Sequence, residues 1–357
     1  MAGYPGSEKE RRIPAATLGA VVTEIFRRCG MRDRDAGLLA ETLVAADLRG
    51  VHSHGTLRVP EYVKKLLSGG VDPRGVPRIV RDEGSALVVD GGNSMGAIGA
   101  AFAMRQALER AQRHNLAFAA VRGSNHCGAM AYYPMLALEH DMIGIAATNA
   151  LPTMAPWGGA EKIVGINPLA VALPAARERP IVFDAAFSGS SHGKLRVYRQ
   201  KGLPIPEGWA FDREGQPTTD AAEAIEGLLQ PIGAYKGVSL ALLMGMLSSL
   251  LSGAAYGTEL GNMVDGPQAG QDGHFFMAIR IAAFEAPARF KARVDAIVRQ
   301  IHACRRAPGV ERLYAPGELE AETEALYRQE GIPLNEDTLA GIAAAAAQVG
   351  AGAAALR

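Results

Sequence analysis

Two imidazoles, a hydroxyl and a guanidinium fall within one short stretch, Arg49-Gly50-Val51-His52-Ser53-His54-Gly55-Thr56-Leu57-Arg58. A histidine with an unperturbed pKa of about 6.5 exchanges protons at neutral pH, as carbonyl reduction and alcohol oxidation both require. An arginine holds a carboxylate through a two-pronged fork. If helical geometry begins at or just after His54, Arg58 lies one turn further along the same face, and both reach one small ligand. The pair describes a pocket for a 2-oxo or 2-hydroxy acid, with His54 as proton-transfer group, Arg58 as carboxylate clamp and His52 as a structural or rim neighbour. The plain alternative is that both histidines fill a polar connection between helices. A third reading starts a metal site at His52-x-His54, completed by His126, in a metal-dependent hydrolase; no HExxH motif or cysteine pair supports it, and the assignment here is no metal.

The elements that must position this loop are helical. Apolar residues at Leu18, Val21, Val22, Ile25 and Phe26 predict a first helix over 14–29, stopped at Gly30, and Leu38, Leu39, Leu43 and Ala46 predict a second over 33–48. Beyond the loop Val59, Tyr62, Val63, Leu66 and Leu67 predict a third, closed by Gly69-Gly70. From residue 78 the period becomes two, predicting a hairpin about Glu83-Gly84, followed by an Ala-rich helix over 96–114 and a buried strand over 117–121. A helix running to residue 140, a strand over 142–148, a Pro- and Gly-rich functional loop over 152–168 and strands over 169–173 and 181–184 come next. A helix over 188–200, a polar surface excursion over 202–219, a buried apolar helix over 238–251, a strand over 274–284, a helix over 287–304 and two short closing helices complete the chain.

Further candidates sit at element junctions. Asn125-His126-Cys127-Gly128 lies where a strand hands over to a helix, so its amides face a phosphate or nicotinamide. Asp184 ends a strand and is followed by Ser188, His192 and Lys194 at a helix start, a setting equally suited to a ligand or a simple helix cap. Tyr235-Lys236-Gly237 puts a cation before an apolar helix, either for a phosphate or as a solvated flank. A GxGxxG fingerprint after the first strand is missing; the GxG pair Gly350 and Gly352 stands at the C-terminal end and cannot open a βαβ unit.

Composition narrows the class. The 357 residues carry 37 basic and 37 acidic side chains and are 48% hydrophobic, enough for one large core or two. Zero formal charge without a long basic run argues against nucleic acid or an anionic membrane as partner. Cys29, Cys127 and Cys304 are too scattered for a disulfide framework, which fits a reducing cytoplasm. The charged N-terminus reads as a flexible lead-in over 1–12, and the most apolar run falls short of the roughly 20 residues that span a bilayer.

In this order the pieces resemble the malate/L-lactate dehydrogenase family whose members lack the Rossmann fold, a group that includes sulfolactate, ureidoglycolate, diketogulonate and piperideine-2-carboxylate enzymes. The resemblance runs from about residue 13 to 342, through Ser53-His54-Gly55 with Arg58, Ser124-Asn125-His126, Ala155-Pro156-Trp157-Gly158-Gly159, Asn167-Pro168-Leu169, Asp184 with Ser188 and Gly193-Lys194, Tyr235-Lys236-Gly237 and Pro316-Gly317-Glu318. It implies an α/β (α+β) homodimer. A non-Rossmann NAD(P)-binding domain with a largely antiparallel sheet would span 76–286, and a helical domain carrying the catalytic loop would be built from 13–75 and 287–357. His54 becomes the proton donor, with Ser53 beside it and Arg58 on the substrate carboxylate. NAD or NADP is expected against His126, Cys127, Gly128, Ala129 and Met130, against Asp184, Ala185, Ala186 and Ser188, against Tyr235 and Lys236, and against Tyr314, Ala315, Pro316, Gly317 and Glu318.

The chain departs from the family pattern at the substrate. Ile166 replaces a threonine and Phe187 a small hydroxylated residue, so specificity is expected to move toward a bulkier or less polar acid. His192 matches the cyclic imine reductases, whereas Lys194 matches the hydroxy-acid enzymes and replaces the aspartate of a Ser-His-Asp relay. The expected function is hydride transfer between nicotinamide and C2 of a small carboxylate substrate, with Arg58, Ile166, His192 and Lys194 around it. Reduction of a cyclic imine or 2-imino acid is the alternative within enzymes, and a non-catalytic nucleotide-binding relative the alternative outside them.

Overall fold

The computed structural model describes residues 9–261 and 270–356. Residues 1–8 of the expected lead-in lie outside the described residues; Arg11–Ile13, at its end, forms strand β1. Helices α1 (Ala15–Arg28) and α2 (Asp33–Leu48) bury Leu18, Val22, Ile25 and Phe26 against Leu39 and Leu43, the spacing of three and four that gives a helix one apolar face. The catalytic loop follows as two 3-10 turns, His52–His54 and Thr56–Arg58, before α3 (Val59–Leu67). Strands β2 (Arg78–Asp82) and β3 (Ala86–Asp90) make the expected hairpin, and α4 (Gly96–His114) leads into β4 (Leu116–Ser124).

The helix expected up to residue 140 shrinks to α5 (Tyr132–Met135) and a 3-10 turn, Leu138–His140. Pro134 lacks the N–H a longer helix would need, and its carbonyl packs so closely on β5 (Met142–Thr148) that a Cβ at Gly144 would lie 2.3 Å from it. The loop over 152–168 holds a small hairpin, β6 (Pro152–Met154) and β7 (Val164–Gly165), and leads to β8 (Leu169–Leu173), β9 (Ile181–Ala185) and α6 (His192–Gln200). What the polarity of residues 202–219 suggested as a surface excursion is a folded unit. Strands β10 (Ala210–Phe211), β11 (Pro217–Thr218) and β12 (Leu228–Leu229) form a sheet with α7 (Ala221–Glu226), and Ile205, Ala210, Ala224 and Leu229 pack with Leu195 in a core of their own.

After α8 (Tyr235–Ser249) comes β13 (Asp272–Arg280), which ends earlier than expected in a 3-10 turn. Helices α9 (Pro287–Ala303) and α10 (Glu318–Glu330), strand β14 (Ile332–Leu334) and helix α11 (Glu336–Gln348) follow. The main sheet has seven strands in the order β2-β3-β4-β13-β5-β8-β9. Every pairing is antiparallel except β3 with β4, in line with the largely antiparallel sheet the resemblance implied. Small residues along α4, among them Ala100, Ala103 and Ala107, let it lie close on that sheet. At its start a Cβ on Gly96 would fall 1.9 Å from the Asn125 carbonyl, so glycine there seats the loop that follows β4.

Helix α8 corrects the expectation of a buried apolar helix. Gly237, Val238, Ala241 and Gly245 face the protein, whereas Leu243 and Leu250 are 55% and 62% exposed. The run is apolar all round, so hydropathy by itself could not separate an inward face of small residues from an outward face of large ones. N- and C-terminal segments share one apolar cluster in which Leu18, Leu43 and Val63 meet Tyr327, Leu339 and Ile342, closed by the β1–β14 pairing. Helix α9 instead receives the turn at 176–178, whose amides donate to Asp295.

Candidate active site

A buried carboxylate builds the catalytic loop. Asp47, fully buried near the end of α2, accepts His52 Nδ1 at 2.8 Å through Oδ1, and the Thr56 amide and hydroxyl at 2.8 and 2.7 Å through Oδ2. Gly55, extended at φ −90° and ψ −151°, separates the two turns, and only glycine fits there because a Cβ would sit 1.9 Å from Asp47 Oδ1. His54 and Arg58 therefore do not share a helical face as the spacing suggested; they meet because Arg58 Nε donates to the Ser53 carbonyl at 2.8 Å. His52 is structural, bonded to Asp47 and stacked on Tyr327.

His54 Nδ1 lies 3.0 Å from Ser53 Oγ, and its ring runs parallel to His126 at a centroid distance of 5.6 Å, with 16° between the planes. One edge of the ring meets a cleft while protein surrounds the rest, and this burial, followed by the charge of Arg58 and more weakly that of Lys194, holds its pKa well below the usual value. His54 is thus neutral at physiological pH. Arg58 Nη1 donates to Glu61 at 2.7 Å. Burial alone would raise the Glu61 carboxyl, but Arg58 and Arg196 together pull it below the usual range. Arg58 Nη2 has no acceptor among the described residues.

The cleft measures about 1250 Å³, beyond the roughly 300–1,000 Å³ typical of small-molecule pockets, so a dinucleotide and a substrate fit together. Of the residues singled out from sequence, it brings together Ser53, His54, Gly128, Ala129, Met130, Ile166, Asp184, Ala185, Ala186, Ser188 and Lys194. Its wall does not include Arg58, His126, Cys127, His192, Tyr235, Lys236 or Tyr314 to Glu318. Arg58 and His126 lie directly behind His54. Cys127 is interior, with its Sγ 3.5 Å from Met130 Sδ and its thiol pushed up by burial. His192, held down to about 4 by burial and then by Lys162 and Arg196, keeps a buried Nε2 with no partner among the described residues. Tyr235 and Lys236 are exposed at the start of α8.

The stretch before α10 is structural. Pro316 accepts the Val182 amide at 3.0 Å, Gly317 takes φ +88° where a Cβ would meet Val182, and Glu318 binds His302 and the Ala315 amide at 2.9 and 2.7 Å. Leu319 and Glu320, the next residues, are the ones that reach the cleft. Asp184 spends one oxygen on the Ala131 amide at 2.7 Å, which seats the 128–131 turn along the cleft; burial lifts its pKa to about 6 despite that bond and Arg49. Phe187, expected as a pocket wall, is 4% exposed in the core with Leu195 and Leu229. Ile166 does line the cleft, beside Tyr198 and Trp209, with Lys194 Nζ 5.8 Å from the Trp209 ring.

Sequence reasoning missed Asp47, Glu61, Tyr62, Tyr198 and Trp209. A carboxylate at the end of a helix otherwise apolar on that face was the available signal for Asp47; Trp209 gave none, lying in a segment of low apolar periodicity. Among the described residues no group of three His, Cys, Asp or Glu converges as a metal site would require, and His52 is turned toward Asp47 and Tyr327.

Residues 13–343 match the family described as malate/L-lactate dehydrogenase. The chain belongs to that family. It is 37% identical over 336 residues to a malate dehydrogenase of Pyrococcus abyssi, covering 92% of each chain. With an L-sulfolactate dehydrogenase of Methanocaldococcus jannaschii it shares 36% identity over 317 residues, covering 89% of this chain and 91% of the relative. The crystal structure of a malate dehydrogenase from Entamoeba histolytica superposes with a TM-score of 0.93 at 30% identity, covering 97% of this chain and 99% of that one. This family member is accordingly an NAD(P)-dependent oxidoreductase of the 2-hydroxy acid dehydrogenase class. The one parallel pair, β3 with β4 joined through α4, carries Asp90-Gly91-Gly92-Asn93 at its turn rather than a GxGxxG fingerprint.

Proposed function

We propose that the protein transfers hydride between nicotinamide C4 and C2 of a 2-oxo/2-hydroxy acid, with His54 as the group that exchanges the proton. The observation that carries this reading is a neutral imidazole at the wall of a cleft, backed by Arg58 and flanked by Lys194. In the oxidising direction His54 Nε2 takes the hydroxyl proton while Nδ1–H donates to Ser53 Oγ; in the reducing direction the same nitrogen returns it. Arg58, behind His54 and off the cleft wall, is the carboxylate clamp of this reading through the N–H groups that Glu61 and the Ser53 carbonyl leave available, and Lys194 is the cation that the wall itself presents. The 128–131 turn and the 184–186 segment line the part of the cleft that this reading gives to the cofactor. When bound, the nicotinamide supplies or accepts the hydride.

Ile166, Tyr198 and Trp209 make the substrate side of the cleft apolar, which favours an acid with a bulky C3 substituent over a second small acid group. The cyclic imine alternative gains no observation, since Lys194 lines the cleft where a relay would need a carboxylate. The same reading takes 13–75 with 287–357 as one unit against 76–286; the shared N- and C-terminal apolar cluster supports it, while Met95 and Ile98 cross that boundary. It also takes the molecule as a homodimer in which the exposed apolar face of α8 is covered by a second copy. Among the described residues no helix is long and apolar enough to cross a membrane, and the three cysteines are free, consistent with the proposed cytoplasmic setting.

The test mixes purified protein with NADH or NADPH and a panel of 2-oxo acids, aliphatic, aromatic and dicarboxylic, and follows nicotinamide absorbance. Oxidation of the cofactor with at least one acid, lost in His54→Ala, is expected. Equal rates for wild type and His54→Ala overturn the assignment.

A further inference from the structure

The cleft wall carries more carboxylates than cations. Glu41, Glu139, Asp184, Glu320 and Glu324 line it, against Arg49, Lys194 and Arg328. Two of these cations are already engaged: Glu324 accepts Arg328 Nη2 at 2.6 Å and lies 3.4 Å from Arg49 Nη1. Arg49 also lowers the pKa of Asp184, so its charge is shared between two acids. Lys194, the third, stands 5.8 Å from the Trp209 ring, on the side given above to the substrate. The cofactor's side therefore has no unpaired cation among the described residues.

That side follows helix α2 back from the catalytic loop. Gly37, Ala40, Glu41, Val44, Ala45 and Leu48 recur at spacings of three and four and form one face of the helix, about 16 Å long. Ala15, Ala16 and Gly19 of α1 line the same cleft, and the 128–131 turn runs on into α5. Glu41 is the one charge on this face of α2. Tyr132 of α5 donates to its Oε1 at 2.8 Å and fixes the carboxylate, while Oε2 has no partner among the described residues. Burial, and then Glu41 itself, push the phenol's ionisation up, so Tyr132 remains a donor at every working pH. Glu139, just beyond α5, adds a second carboxylate with no hydrogen-bond or ion-pair partner among the described residues.

We propose that this protein takes NAD(H) in preference to NADP(H), and that Glu41, with Glu139, sets the preference by accepting from a ribose hydroxyl and repelling a 2′-phosphate. An unphosphorylated ribose offers hydroxyls that donate to a carboxylate, whereas NADP-binding sites supply an arginine for the phosphate. A 2′-phosphate brings up to about two negative charges to a wall that is already acidic. The repulsive element discriminates as much as the attractive one.

The placement of the dinucleotide rests on the oxidoreductase reading, but the preference is measured by binding, without substrate. Calorimetric titration of the protein with NADH and with NADPH is expected to show NADH bound about tenfold more tightly or better. The gap should narrow between about 0.01 and 1 M salt, as the screening length falls from about 30 to about 3 Å. Glu41 and Glu139 are both exposed, so Glu41→Gln with Glu139→Gln spares the core; this double variant is expected to lower the NADH/NADPH affinity ratio about tenfold. Wild-type protein that binds NADPH as tightly as NADH overturns the proposal, and needs no variant to fold. A ratio unchanged in the folded double variant overturns it too. Binding of neither cofactor overturns the oxidoreductase reading together with the proposal, whereas preferential NADH binding without turnover of any 2-oxo acid sinks that reading alone.

Discussion

Asp47 accepts both the amide and the hydroxyl of Thr56, at 2.8 and 2.7 Å, and with the same carboxylate fixes His52. The geometry of this loop is therefore set by a fully buried residue that lies off the cleft wall. Replacing it with alanine strands a buried amide and hydroxyl, and Asp47→Ala is expected to lose about 3 kcal/mol of stability by urea unfolding, with kcat falling alongside. A Thr56→Val variant removes only the hydroxyl bond and should lose about 1 kcal/mol; equal losses in the two would show that the carboxylate holds no more than that hydroxyl.

Gly193 packs the start of α6 onto the loop. A Cβ there would lie 2.7 Å from Ser53 Cβ and 3.3 Å from Arg58 Nη2. Gly193→Ala should push helix and loop apart, cutting kcat/KM by roughly 100-fold, the usual consequence of a displacement of about 1 Å at a reacting group, while the thermal midpoint changes little. Unaltered kinetics would mean that the contact is not maintained in solution.

His54 is neutral because its protonated form is disfavoured, so the form needed to oxidise a 2-hydroxy acid persists as pH falls through the ordinary histidine range. The pH profile of kcat/KM for oxidation is expected to lack a descending limb at about 6.5. Lys194→Met removes one of the charges that lower it and should move the acid limb upward. A wild-type limb at about 6.5, or a downward move in the variant, contradicts this account.

Ile166 and Trp209 both line the cleft, and the proposed function gives them the substrate side. Ile166→Thr should raise kcat/KM for hydroxylated or acidic substrates relative to apolar ones by about tenfold, within the range that one side-chain group contributes to discrimination. Competition between an aromatic and a dicarboxylic 2-oxo acid measures the ratio directly, and a ratio that does not change removes Ile166 from the specificity wall.

The outward face of α8 presents Leu240, Leu243, Leu247 and Leu250 together. Leu243→Glu puts a charge in the middle of it. Sedimentation is expected to show a dimer for wild type and a monomer for the variant, because an unpaired charge cannot be buried without a partner. A wild-type monomer, or a variant dimer of unchanged affinity, would place the interface elsewhere.

Period and punctuation determined most of the secondary structure: α1 to α4, the β2–β3 hairpin, and the strands β4, β5, β8 and β9 follow from apolar spacing and the glycines that end each run. The motif residues Ser53, His54, Gly128, Asp184 and Lys194 were visible as types that carry chemistry at element ends, Ile166 only through the family resemblance, and all of them line the cleft. Tertiary structure decided what each of them does. Two 3-10 turns replaced the helical face assumed for His54 and Arg58, because the loop geometry depends on a carboxylate from another helix. Phe187 turned inward, the 314–318 stretch went to contacts with Val182 and His302, and Asp184 went to a backbone amide, since burial and hydrogen-bond partners depend on residues far away in the chain. The charge state of His54 belongs to this second kind of fact. Its side chain is the same in every sequence, and only its burial, with the cations Arg58 and Lys194 nearby, keeps it neutral and able to accept a proton.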